Sequence, residues 1–92
     1  MTNTHDANFL IVDAGSAMGT LADVTRSAVD GYGNGSRDHL DTLGALRLVE
    51  LAAAQARRAV VLRAHAEGYT WQELGDTLGT SRQAVQQRYG KS

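Results

Sequence analysis

Leu10, Ala14, Ala17, Leu21, Val24 and Ala28 recur at spacings of 4, 3, 4, 3 and 4. Such positions share one face of a helix, close to a heptad seam, and predict a helix over 6–30. Gly15 and Gly19 fall inside it. Each costs about 1 kcal/mol in a helix interior, which a close approach by another helix would explain. A competing reading has a short strand at 9–12 and a helix from Ser16. The run GYGNGS at 31–36 reads as a helix stop and turn. Ser36 can then cap the next helix, and Asp38 suits its positive end. From there to Glu67 only Gly44 interrupts the helical pattern. Two apolar seams run along this segment. One holds Leu46, Val49, Ala53, Ala56 and Val60; the other holds Leu48, Leu51, Ala52, Ala59, Leu62 and Ala66. A helix apolar on two sides needs cover on two sides. The N-terminal helix is one cover, and the last two helices or a second copy of the chain the other. Gly68 ends the segment.

The remaining pattern is short and specific. Thr70 and Glu73 form T-x-x-E, the capping box that starts a helix. Trp71, Leu74, Gly75 and Leu78 follow on one face. Gly79 sits where the chain must turn, in a backbone conformation cheapest for glycine. Thr80 or Ser81 caps the last helix; Thr80 with Gln83 is itself a T-x-x-Q box, so both stay open. On a wheel with Arg82 at zero, Gln86, Gln83 and Gln87 fall at roughly 40°, 100° and 140°. Ala84, Arg88, Val85 and Tyr89 occupy roughly 200° to 340°. One side is mostly apolar, and the other is a strip of long amide and guanidinium side chains.

Composition narrows the picture. The chain has 92 residues and 42% hydrophobic content, enough for one small domain with a thin core. Small cores gain from dimerisation. There is no cysteine, which removes disulfides and thiolate metal sites. There is no proline, which favours helix. No apolar run is long enough to span a membrane and no leader pattern opens the chain, so a cytoplasmic protein is expected. The net charge of −1 conceals a gradient. Residues 1–50 hold three arginines against seven acids, and residues 51–92 six basic groups against three acids. An asymmetry of this kind suits a nucleic-acid surface at the basic end.

The chemistry of catalysis finds little support. His5, His39 and His65 are isolated, with no carboxylate or second histidine at helical spacing. No nucleophile has a recognisable base, and no acid pair stands out. The glycine-rich runs DAGSAMG and GYGNGS lack the GK[ST] ending of a phosphate loop. No enzyme, metal or cofactor is expected. The strip on the last helix points elsewhere. Glutamine bonds adenine through two groups at once, and arginine does so with guanine. Thr80 and Ser81 at the helix start offer donors to a phosphate.

The stretch TWQELGDTLGTSRQAVQQR, residues 70–88, resembles a helix-turn-helix DNA-binding motif. It is most similar to the version in the promoter-reading C-terminal region of sigma factors and related small bacterial regulators. The resemblance covers roughly 57–90, with RRAVVLRAHAEG as a supporting helix, and does not extend to residues 1–50. It implies that the 81–89 helix enters the major groove of double-stranded DNA. Arg82, Gln83, Gln86 and Gln87 would then meet base edges, and Thr70, Thr80 and Ser81 phosphates. Arg57, Arg58 and Lys91 are further phosphate candidates; Arg57, Arg58 and Arg63 read equally well as a solvated face. Trp71, Leu74, Gly75, Leu78, Gly79 and Val85 form the motif core, with Trp71 and Tyr89 core residues rather than stacking platforms.

The expectation is therefore an all-α protein. Residues 1–52 form a helical N-terminal part suited to dimerisation, and residues 53–92 a wingless helix-turn-helix. The expected function is sequence-specific DNA binding by a homodimeric transcriptional repressor or regulator. The competing reading is a protein-interaction module: an adaptor for RNA polymerase, or an antitoxin that binds its toxin. In that reading the acidic N-terminal half takes a protein partner.

Overall fold

The computed structural model describes residues 13–35 and 37–90. Among them are four helices and no strand, so the protein is all-α with a C-terminal helix-turn-helix. The helices are α1 (Ala14–Gly33), α2 (His39–Ala66), α3 (Trp71–Leu78) and α4 (Arg82–Tyr89). The chain divides into two compact units, Met1–Ala59 and Val60–Ser92, and α2 runs unbroken through the division. The 52/53 boundary read from the sequence also falls inside α2.

In the first unit Asp13 starts α1: its Oδ2 accepts from the Ser16 backbone N–H at 3.0 Å. The helix expected over 6–30 is thus described from Ala14, and Leu10 and the strand alternative at 9–12 lie outside the described residues. The rest of the seam holds. Ala17 and Ala28 are buried, with Ala14, Leu21 and Val24 half-buried beside them. Ala17 packs with Ala56 and Ala59 of α2. The glycine expectation does not hold. A methyl group at Gly19 would meet nothing within 4 Å, and one at Gly15 only the Asp13 carboxylate. The close approach occurs at Gly31, which is buried beneath the Arg37 side chain. Arg37 Nη2 also donates to Ser27 Oγ at 3.2 Å.

That anchor accompanies a second correction, because α1 continues through Gly31, Tyr32 and Gly33 of the expected break. The turn itself is Asn34–Gly35, with Gly35 left-handed at φ 73°. Ser36 lies outside the described residues, and the cap of α2 is Asp38. Its Oδ1 accepts from the Asp41 N–H at 2.8 Å.

Among the described residues, the buried side chains of the first unit are alanines: Ala17, Ala28, Ala45, Ala52, Ala56 and Ala59. The heavier seam residues Leu46, Leu48 and Leu51 stand exposed, as do Val29, Tyr32, Leu40 and Leu43. Val29, Tyr32, Leu43, Leu46 and Val49 line an apolar groove of about 670 Å³ within this unit.

In the second unit, left-handed Gly68 (φ 108°) closes α2 while the Tyr69 N–H reaches the Ala64 carbonyl at 3.1 Å. Val61, Val85 and Tyr89 form its core, and Leu62, Trp71 and Leu74 pack around them. Val85 is 1% exposed. No helix among the described residues is long and apolar enough to cross a membrane.

Candidate nucleic-acid interface

Local capping sets the geometry of α3 and α4. The Thr70 hydroxyl accepts from the Glu73 N–H at 3.1 Å, and Glu73 Oε1 accepts from the Thr70 N–H at 2.9 Å. The expected capping box is therefore complete. The backbone and hydroxyl bonds from Thr70 stabilise the ionised form of Glu73 and hold its carboxyl below the usual carboxylate range. Gly79 ends α3 with φ 74° and ψ 31°, the left-handed region that favours glycine. Of the two open caps for α4, the structure uses Ser81. Its Oγ accepts from the Ala84 N–H at 3.0 Å, while the Thr80 N–H donates to the Gly75 carbonyl at 2.9 Å.

Gly75 explains how tightly the turn closes. A methyl group there would come within 3.0 Å of the Thr80 carbonyl oxygen and 3.1 Å of the Ser81 backbone. The start of α4 thus rests almost directly on the backbone of α3. Val85 and Tyr89 then anchor α4 from below. Trp71 and Leu74 are half-buried around that anchor, but Leu78 remains 39% exposed and contributes less to the motif core than its spacing suggests.

With one side of α4 anchored, the other is open. Arg82, Gln83, Gln86 and Gln87 are all exposed. Among the described residues no ion pair holds Arg82. Thr70, Thr80 and Ser81 are also exposed, at the starts of α3 and α4. Ala84 and Arg88, expected on the inward side, are exposed instead. The buried arc of this short helix is only as wide as Val85 and Tyr89, and the Arg88 guanidinium lies 5.9 Å from the Tyr89 ring centre. Arg57 and Arg58 are exposed on the part of α2 that belongs to the first unit. Arg63 is engaged with Glu67, Nε to Oε2 at 3.0 Å. Lys91 lies outside the described residues.

Residues 52–90 match the family model of a homeodomain-like domain. This C-terminal stretch is therefore a homeodomain-like helix-turn-helix domain, and such a domain suggests DNA binding. No curated protein and no solved structure matches the chain.

Sequence reasoning missed one arrangement at the edge of this helix-turn-helix. The His65 ring stacks on Trp71, with ring centres 3.7 Å apart and planes 18° from parallel. Its Nδ1 meets the Tyr69 carbonyl oxygen at 3.0 Å. The two rings belong to different helices, on either side of the Gly68 turn, so no helical spacing links them.

Proposed function

We propose that this protein binds duplex DNA sequence-specifically as a homodimeric transcriptional repressor or regulator, with α4 in the major groove. One observation carries the reading: α4 is anchored through Val85 and Tyr89 while Arg82, Gln83, Gln86 and Gln87 stand together in solvent. These side chains match the hydrogen-bonding edges of guanine and adenine. Thr70, Thr80 and Ser81 supply phosphate contacts at the rim, with Arg57, Arg58 and Lys91 as further cationic contacts. Base contacts specify and phosphate contacts position.

An eight-residue reading helix covers few base pairs, so two copies on an inverted repeat would supply the missing affinity. Their half-sites would lie about 34 Å apart. The apolar groove and exposed leucines of the first unit are the surface offered for that pairing. Sedimentation at micromolar concentration reads it directly, and a strict monomer removes the dimer from the proposal.

Selection of bound duplexes from random sequence tests the whole reading. A palindromic site is expected. Arg82→Ala should then lose about 1–3 kcal/mol on the selected site and blur preference at one base pair. Arg57→Ala, as a phosphate contact, should weaken all sequences alike and flatten the salt dependence. Equal losses on selected and random DNA for Arg82→Ala would remove it from base reading.

A further inference from the structure

Three features around α1 find no use within a single copy of the chain. The first is the apolar groove of about 670 Å³ between Val29 and Tyr32 of α1 and Leu43, Leu46 and Val49 of α2. Among the described residues no aspartate, glutamate, lysine or arginine lines it, so it suits an apolar, uncharged occupant. The second is the face that continues the groove toward the start of α1. On a wheel with Tyr32 at zero, Met18, Val29, Ala22 and Gly15 fall at roughly 40°, 60°, 80° and 100°, and Gly19 at roughly 140°. Met18 is 51% exposed, with Gly15, Gly19 and Ala22 exposed beside it. A methyl group at Gly19 would stand in open space, so nothing in the chain's own packing calls for glycine there. The third is the run FLIV at 9–12. No other stretch of the chain has four large apolar side chains in succession.

Reach decides whose groove the run can fill. Residues 9–12 lie outside the described residues, but they are tied to Asp13, the cap of α1. At about 1.5 Å per residue along α1, the groove begins about 18 Å from Asp13, at Thr25, and Tyr32 stands about 28 Å away. Phe9 precedes Asp13 by four residues and lies at most about 14 Å from it, with Leu10, Ile11 and Val12 nearer still. The apolar run therefore falls short of the groove in its own copy. The residues with enough reach, MTNTHDAN at 1–8, are mostly polar.

We infer that two copies of the chain exchange these runs: each α1 crosses its counterpart antiparallel beside Gly19, and residues 9–12 of each copy fill the groove of the other. The inference rests on the homodimer proposed above and names its contact. A two-fold pair makes the same contact twice, so both runs and both grooves are used. Reach also sets the crossing point. An extended run of four residues covers about 14 Å, which is the length of α1 from about Thr25 to Gly33. The partner's Asp13 then stands level with Thr25, and Gly19 lies midway between those two positions. There Met18 and Ala22 of each copy meet their counterparts, while Gly15 and Gly19 let the two backbones approach. A parallel crossing would carry each run away from the groove.

The test uses the full chain at micromolar concentration. The sequence has no cysteine, so introduced cysteines are the only thiols. The double variant Ile11→Cys/Val29→Cys, treated with a short bismaleimide, should give a covalent dimer on a denaturing gel. Either single variant should stay monomeric on that gel, because the two copies of each position lie roughly 30 Å apart. In sedimentation, Leu10→Ser/Ile11→Ser should raise the dimer dissociation constant at least about tenfold. Met18→Glu, which sets two like charges at the crossing, should do the same. Met18 is exposed in the single copy, so that variant should keep its helix content by circular dichroism. An internally linked monomer from the double cysteine variant would place the run in its own groove and overturn the exchange. A wild-type dimer whose strength is unchanged in Leu10→Ser/Ile11→Ser and Met18→Glu would put the contact on another face, so the inference fails while the homodimer stands. A strict wild-type monomer removes both, and duplex binding is then read separately.

Discussion

Between Ala14 and Ala59 the buried apolar side chains are all alanines, whereas beyond Val60 they are Val61, Val85 and Tyr89. The large apolar side chains divide the opposite way. Met18, Val29, Tyr32, Leu40, Leu43, Leu46, Leu48 and Leu51 are exposed in the first unit, with Leu40 77% exposed; the second leaves Val60, Tyr69 and Leu78. Burial stabilises by about 0.8 kcal/mol per methylene removed from water. An alanine seam therefore contributes little, however tightly it packs. The second unit completes its own core and holds α4 at a defined angle. Among the described residues, the first keeps its large apolar side chains on the surface, where association with another surface can use them. A unit with a completed core and one with an unfinished apolar face are different kinds of object, and the proposed function assigns them different work.

The largest expected effect lies in the completed core. Tyr89→Ala should cost about 3–5 kcal/mol and melt the Val60–Ser92 unit, as followed by urea unfolding with Trp71 fluorescence. A loss under about 1 kcal/mol would mean that this core is no tighter than the alanine seam. Next comes the seam itself. Ala56 is 3% exposed between Ala17 and Ala59, so Ala56→Leu should cost about 1–3 kcal/mol by forcing α1 and α2 apart. An unchanged melting temperature would show that the first unit yields to added volume and is looser than its alanine packing implies.

Ser81→Ala removes the acceptor for the Ala84 N–H and should cost about 1 kcal/mol of helix stability. Thr80→Ala should cost less, since Thr80 engages through its backbone. Reversed losses would return the cap to Thr80. The smallest effect concerns Glu73. Its carboxyl is held below its ordinary range by Thr70, so its stabilising contribution is present at neutral pH. That contribution is lost as the pH falls through the lowered folded-state titration. The stability gap between wild type and Glu73→Gln should therefore narrow on acidification. A gap that persists into strong acid would show that the capping bonds do not depend on the charge.

Much of the helix-turn-helix was legible because its determinants are local. The capping box joins residues three apart, and the Gly79 turn joins neighbours. The outward strip of α4 follows from helical rotation once Val85 and Tyr89 are recognised as inward. What escaped depended on contacts between separate segments. Periodicity marks both seams of α2 as apolar without saying that the alanines, not the leucines, meet α1. The run GYGNGS reads as a break from composition. Yet α1 persists through Gly31, with Arg37 folded over that glycine from beyond the turn.

The sequence alone determined the order of helices, the start and stop of α3, the left-handed glycine between α3 and α4, and the polar strip on the final helix. Each of these is decided by interactions within a few residues, which fix backbone hydrogen bonding before anything packs. Tertiary structure decided the choice of Ser81 over Thr80, the burial of alanines beside exposed leucines, and the stacking of His65 on Trp71. Those outcomes depend on which surfaces meet and what volume is left between them, quantities that no periodicity along one chain contains.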